Sequence, residues 1–257
     1  MRIDLSGRTA LVTGSTAGIG EAAARALASA GAEVVVNGRN ADRVAGAAER
    51  IGGRGVAADV GTAGGTAELI RQLPDVDILV NSTGIFETGP LFEIPDADWL
   101  RLFEVNVLSG VRLARHYAPR MAGRGWGRVI FVSSEAGVQT PTDMAHYGMT
   151  KTAQLAVSRG MAQEVAGSGV TVNCVLPGPT MSDGVLAMFD ELYPGLGPDE
   201  QERRYLAENR AAGSLLRRLI RPHEVAAMIT YVASEQASAT TGRALGVDGG
   251  LVPTILP

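Results

Sequence analysis

The sequence predicts a doubly wound α/β fold: a parallel sheet of about seven strands with helices on both faces, in a single domain over 1–257. Short runs rich in Val and Ile alternate with amphipathic segments rich in Ala, Leu and Arg along the chain. The apolar runs are mostly continuous rather than alternating, as in strands covered on both faces. No linker or break in composition divides the 257 residues.

Each element follows from that pattern. Strands are expected at TALVTG (9–14), AEVVVNG (32–38), GVAADV (55–60), VDILVNS (76–82), RVIFVSS (128–134), VTVNCVLPG (170–178) and ALGVDGG (244–250). Helices are expected over 18–30, 40–51, 63–73, 97–122, 145–167 and 222–234, the last opened by Pro222 in its first turn. The segment 179–214 interrupts the alternation and mixes helical patches with YPGLGP. Irregular stretches of that length in compact domains are usually functional or disordered. Its apolar residues Val185, Leu186, Met188, Phe189 and Tyr193 predict a substrate lid, and Met144, Met181, Met188 and Phe189 are candidates for lining a partly apolar pocket.

Composition narrows the partners. Hydrophobic residues make up 46% and charged residues 19%, enough for a substantial core. A net charge of −4, with no basic tract, argues against nucleic acid and anionic membranes. The lone Cys174, in an apolar run, reads as a buried thiol and excludes an intrachain disulfide. His116, His146 and His223 are scattered at no metal-binding spacing, so no metal is expected. The start of the chain lacks a secretory pattern, and no apolar run reaches the roughly 18 residues of a membrane span. A soluble, cytoplasmic protein is the expectation.

Two stretches carry the chemistry. TGSTAGIG (13–20) joins the first strand to the first helix, where Gly14, Gly18 and Gly20 permit close backbone approach and helix amides suit a pyrophosphate. Its spacing is GxxxGxG rather than GxGxxG, and a tight packing turn is the alternative. HYGMTKTAQ (146–154) holds the one lysine of a chain with 22 arginines, four residues after Tyr147. On a helix Tyr147 and Lys151 share a face. A free phenol has a pKa near ~10, and a nearby ammonium lowers it toward a useful acid–base range. Lysine's compact charge on a narrow stem is not replaceable by a guanidinium fork there. Ser134, thirteen residues before Tyr147 at a strand end, is placed to hydrogen-bond a reacting oxygen. Ser133 is an alternative to it, and Asn106 is alternatively a residue that caps or kinks its helix.

TGxxxGIG near the start and YxxxK about 130 residues later resemble the short-chain dehydrogenase/reductase family, and the match spans nearly the whole chain. NSTG (81–84) stands where the family has NNAG: Asn81 and Gly84 match, while Ser82 and Thr83 depart. Asn106, Ser134, and Pro177 with Gly178 match further motifs, and GRALGVDGG (242–250) resembles the last strand. The resemblance implies a Rossmann-like fold and a catalytic set of Asn106, Ser134, Tyr147 and Lys151. Ser134 rather than Ser133 is then the reactive hydroxyl, Lys151 also bonds the nicotinamide ribose, and Asn106 holds a water of a proton relay. It also implies a cofactor site of Gly14, Ser15, Thr16, Gly18, Ile19, Gly20, Arg39, Asp59, Val60, Asn81, Gly84, Tyr147, Lys151, Pro177, Gly178 and Thr180, with Asp59 on the adenine amino group. A homo-oligomer, tetramer or dimer, is implied as well.

The second strand ends VVVNGRN, with Gly38 where NAD-preferring relatives carry Asp, and Arg39 after it. A guanidinium without a carboxylate favours NADP(H) over NAD. The expected activity is an NADP(H)-dependent oxidoreductase exchanging hydride between the nicotinamide and a small ketone or secondary alcohol. The alternatives are a 3-oxoacyl-carrier-protein reductase and a catalytically silent NADP-binding sensor.

Overall fold

A computed structural model describes residues 2–208 and 213–255. Seven parallel strands form one sheet: β1 (Thr9–Val12), β2 (Glu33–Gly38), β3 (Arg54–Ala57), β4 (Ile78–Asn81), β5 (Gly127–Val132), β6 (Val170–Pro177) and β7 (Ala244–Val247). Their order is β3-β2-β1-β4-β5-β6-β7, so the chain reverses its direction of travel between β1 and β4. Crevices at such a switch point, beyond the strands' carboxyl ends, are where ligands bind in open α/β sheets.

Period-two geometry assigns the core. Ala10 and Val12 of β1 face one layer, with Ala23 and Leu27 of α1 (Gly18–Ser29), Val44 of α2 (Ala41–Ile51) and Ile229 of α9 (Pro222–Val232). Leu11 faces the other layer, with Leu69 of α3 (Ala63–Gln72), Tyr117 of α5 (Ser109–Gly123) and Ala162 of α6 (Ala145–Glu164). The continuous apolar runs of the sequence are therefore strands with helices on both sides, as expected. Helix starts carry the expected signals: Asn40 caps α2, Thr62 caps α3, and Glu224 accepts from the Arg221 N–H at the start of α9.

Two segments differ from expectation. The single helix expected over 97–122 is α4 (Asp96–Phe103) and α5, joined by a π-helical turn at Glu104–Leu108 that contains Asn106. Single π turns inside helices are rare and cluster at functional sites. The lid segment forms α7 (Asp183–Leu192) and α8 (Pro198–Glu208), which pack around their own cluster of Phe189, Tyr193 and Leu219. Its residues 209–212 lie outside the described residues. Among the described residues, no helix is long and apolar enough to cross a membrane, and no cluster of metal-ligating side chains occurs.

Candidate active site

The glycine turn lies at the switch point. Gly14 and Gly18 adopt φ of 62° and 57°, in the left-handed region that favours glycine. A Cβ on Gly20 would lie 2.3 Å from the Gly14 carbonyl oxygen, so only glycine lets the turn close onto the start of α1. Gly14, Gly18, Ile19 and Gly20 border a cavity of about 280 Å³, whose opposite wall holds Gly84, Tyr147 and Lys151. The strand-end position, the bare glycine turn and the helix start fit a dinucleotide's pyrophosphate. Larger hollows lie at the opposite strand ends, beside Asp75 and Arg120 (about 580 Å³), and between α1 and α9 (about 610 Å³). Neither holds any of these residues.

Of the catalytic candidates, Tyr147 and Lys151 border that cavity, as does Ser133, whereas Ser134 and Asn106 do not line it. Tyr147 and Lys151 lie one turn apart on α6, with the ammonium nitrogen 5.4 Å from the centre of the phenol ring. Lys151 is 4% exposed, and its Nζ donates to the Val132 carbonyl at 3.0 Å. Burial pulls its pKa from 10.5 to about 8, with Cys174 and Glu135 offsetting part of that pull. The ammonium is thus still the main form at neutral pH. A Cβ on Gly84 would lie 3.6 Å from that ammonium and 3.5 Å from Asn106 Oδ1, which makes the loop after β4 the roof over both.

Ser133 and Ser134 separate cleanly. The Ser133 hydroxyl donates to the Lys151 carbonyl at 2.9 Å and so pins α6 to the end of β5. Ser134 Oγ accepts from the Ala136 N–H at 3.1 Å and donates to the carboxylate of Glu135. Asn106 is a brace between elements. Its side chain accepts from the Ile85 N–H at 2.8 Å and donates to the Ile85 carbonyl and to Thr150 Oγ1. Its own carbonyl accepts from Gln154 Nε2 at 2.7 Å. The amide that fixes the loop after β4 thus sits in the one turn where the helix ladder slips.

Of the cofactor candidates, Gly14, Gly18, Ile19, Gly20, Gly84, Tyr147 and Lys151 border the cavity, and the others lie outside its lining. Arg39 is exposed at the carboxyl end of β2, and among the described residues no carboxylate pairs with it. A Cβ on Gly38 would meet the Thr16 methyl at 2.8 Å, so Thr16 crowds out a side chain at that position. Asp59 is partly buried and accepts from the Gly61 N–H, while Val60 is buried. Pro177 ends β6, Gly178 packs against Asp248, and Thr180 Oγ1 donates to the Gly178 carbonyl. The Ser15 side chain, by contrast, is committed inside the turn, donating to the Val12 carbonyl and accepting from the Asn37 N–H. Asn81 faces Gly110 of α5, and among the described residues its buried amide has no hydrogen-bond partner.

The structure corrects the lid expectation at Phe189. That ring is fully buried against Tyr193 and Tyr205, so it holds the lid together instead of lining a pocket. The cavity residues sequence reasoning missed are Ile85 and Phe86, whose ring meets Tyr147 edge-on at 6.3 Å, and Ser182 and Asp183 at the base of the lid segment. Glu135, bonded to Ser134, was missed as well and lines a separate hollow. Only Glu135 left a trace in sequence, as an acid directly after an apolar strand and a serine pair.

A glycine turn for a dinucleotide, facing a phenol backed by a buried ammonium, defines a nicotinamide-dependent oxidoreductase. A family model described as enoyl-(acyl carrier protein) reductase matches residues 14–252. The chain is 47% identical to YvaG, an oxidoreductase of Bacillus subtilis, over 99% of this chain and 100% of the relative. It is 32% identical to the 3-oxoacyl-[acyl-carrier-protein] reductase FabG of Vibrio cholerae, over 97% and 99%. The solved structure of L-sorbose reductase from Gluconobacter frateurii, complexed with NADPH and L-sorbose, superposes with a TM-score of 0.91 at 32% identity, over 99% and 100%. The chain belongs to the short-chain dehydrogenase/reductase family of oxidoreductases.

Proposed function

We propose that the protein is an NADP(H)-dependent oxidoreductase of a small ketone and its secondary alcohol, with Tyr147 as general acid and base. The observation that carries this reading is the placement of Tyr147 and Lys151 on one face of α6, opposite the glycine turn across a single cavity. When bound there, the nicotinamide supplies or takes up the hydride. In reduction, the Tyr147 phenol gives its proton to the carbonyl oxygen, and in oxidation the phenolate removes the proton of the alcohol. The Lys151 ammonium favours the phenolate in either direction. Ser134 holds the reacting oxygen, and Asn106 keeps the loop of Gly84 and Ile85 over the lysine.

Three features support NADP(H). Arg39 is exposed where a 2′-phosphate would lie, Gly38 has no room for a side chain beside Thr16, and the sorbose reductase binds NADPH. Gly14, Gly18, Ile19 and Gly20 would hold the pyrophosphate, Asp59 and Val60 the adenine, and Gly178 and Thr180 the nicotinamide end. A homo-oligomer is proposed on family grounds alone.

A carrier-borne thioester is the second reading, favoured by the likeness to FabG. The test is an NADPH oxidation assay with cyclohexanone, L-sorbose and an acetoacetyl thioester, repeated with NADH and with Arg39→Ala. Turnover of a free ketone with NADPH, and loss of the NADPH preference in the variant, are expected. Marked preference for the thioester would establish the second reading. A folded wild type that binds NADPH and reduces no ketone would defeat both.

A further inference from the structure

Phe86 borders the same cavity as Tyr147 and Lys151, yet its ring is left 63% exposed. A single exposed apolar side chain is ordinary, and the fully exposed Phe92 lies outside that lining. Phe86 differs because its loop is held on both sides. The N–H and carbonyl of Ile85, just before it, are both bonded by the Asn106 side chain, at 2.8 Å and 2.9 Å. Glu87, just after it, is ion-paired with Arg101, and the Gly89 N–H donates to the Asp143 carbonyl at 2.8 Å. The ring stands on that fixed backbone beside the Tyr147 phenol, at an interplanar angle of 72°. The other walls agree in polarity. Met181, Met188 and Phe189 pack into the core of the 179–214 segment, which leaves Ile85, Phe86 and Val132 as hydrocarbon walls of the cavity away from the glycine turn. The Ser133 hydroxyl is spent on the Lys151 carbonyl, and Ser182 and Asp183 stand by Gly18 of the glycine turn.

We propose that Phe86 is a specificity-determining residue, its ring being the platform for the apolar body of a carbocyclic or aryl ketone whose oxygen faces Tyr147. This rests on the reading of the site as a ketone/alcohol oxidoreductase and adds the class of substrate. Apolar area laid on the ring leaves water on both partners, and a rigid aromatic loses little freedom in receiving it. A polyhydroxylated ketone of similar size gives up water from its hydroxyls to a hydrocarbon wall that offers no hydrogen bond in return. The ring grips the substrate body before and during hydride transfer alike, so its contribution falls on KM rather than on kcat.

The test compares two ketones of similar size and opposite polarity, cyclohexanone and dihydroxyacetone, by steady-state oxidation of NADPH. Wild type should show the lower KM for cyclohexanone. Phe86→Ala should lower the ratio of kcat/KM for cyclohexanone to that for dihydroxyacetone about tenfold, through the KM of cyclohexanone. Phe86→Gln, long but polar, should lower the ratio as well and decides the matter if the alanine variant does not fold. Phe86→Leu, still apolar, should keep most of it. A fall in kcat that is equal for both ketones would make Phe86 a support for the Tyr147 ring and overturn its contact with substrate. A lower wild-type KM for dihydroxyacetone, a ratio unmoved in the folded glutamine variant, or a matching loss of NADPH affinity by titration overturns it too. Wild-type turnover separates the two levels: no turnover of any ketone sinks the parent reading with this one. Turnover with an unmoved ratio sinks the role of Phe86 alone.

Discussion

The wall of candidate catalytic residues and the segment proposed as a lid are built on opposite plans. Along the ends of β4 and β5 and the face of α6, Asn106, Ser133, Ser134, Lys151 and Gln154 are all buried, and each bonds the backbone of its own or another element. The lid instead encloses a small core of its own. It meets the body through a short bridge at Thr180 and Ile220 and through Glu202, which accepts from the Leu219 N–H and from Arg221. Proton transfer needs groups held to fractions of an ångström, which cross-bonded side chains on rigid elements provide. We propose that this segment opens for substrate entry, for which a satellite core with few ties is suited.

The largest expected effect lies on the wall. Tyr147→Phe should lower turnover on the order of 10³-fold while thermal stability and NADPH binding stay near wild type, measured by steady-state rates, melting and titration. Retained turnover would remove the proton role from the rigid side of the comparison.

Next comes a matched pair of cavities. Phe131→Ala, in the sheet, should cost about 3–5 kcal/mol in global unfolding by denaturant. Phe189→Ala should leave the global midpoint close to wild type, yet raise KM and speed proteolysis within 183–208. Equal global losses from both would mean that lid and body unfold as one unit.

A third effect reads the burial of the lysine. The folded state sheds the Lys151 proton near pH 8, whereas the unfolded chain keeps it to about 10.5. Between those values the unfolded state binds more protons, so the stability contributed by this group rises with pH. Relative to Lys151→Met, wild type should therefore gain on the order of 3 kcal/mol from pH 8 to 10.5, read by denaturant melts across that range. A flat difference would mean that the ammonium is solvated.

The smallest effect sits at the lid's anchor. Glu202→Gln keeps an acceptor for Leu219 but loses the charge facing Arg221 at 2.8 Å. It should cost about 1 kcal/mol, visible as a severalfold change in KM with the global midpoint little moved.

The legible parts of this protein are those with local causes. Strands covered on both faces are apolar at most positions, so the central strands were visible as runs such as TALV and VVVN, while the edge strand β3 reads RGVA and is mostly exposed. The glycine turn was visible because Gly20 has no room for a Cβ, and the Tyr147–Lys151 pair because four residues make one helical turn. The π turn was hidden, since Asn106 slips the helix only to reach Ile85 on a loop 21 residues earlier. The bond of the Ser133 hydroxyl was hidden for the same reason: the Lys151 carbonyl that takes it is 18 residues away. Ser15 lies in the right motif, yet its hydroxyl turns inward because the Asn37 N–H of β2 is there to meet it.

Sequence alone determined the layered α/β plan, the glycine turn at the end of the first strand, and the phenol–ammonium pair, because each depends on periodicity or on the size of one residue. Only the tertiary structure decided that the Ser133 hydroxyl is bonded to the Lys151 carbonyl, that Phe189 packs inside the 179–214 segment, and that the Ser134 hydroxyl donates to Glu135. Those outcomes turn on which donor meets which acceptor after burial removes water as the alternative partner, and distant segments supply most of the partners.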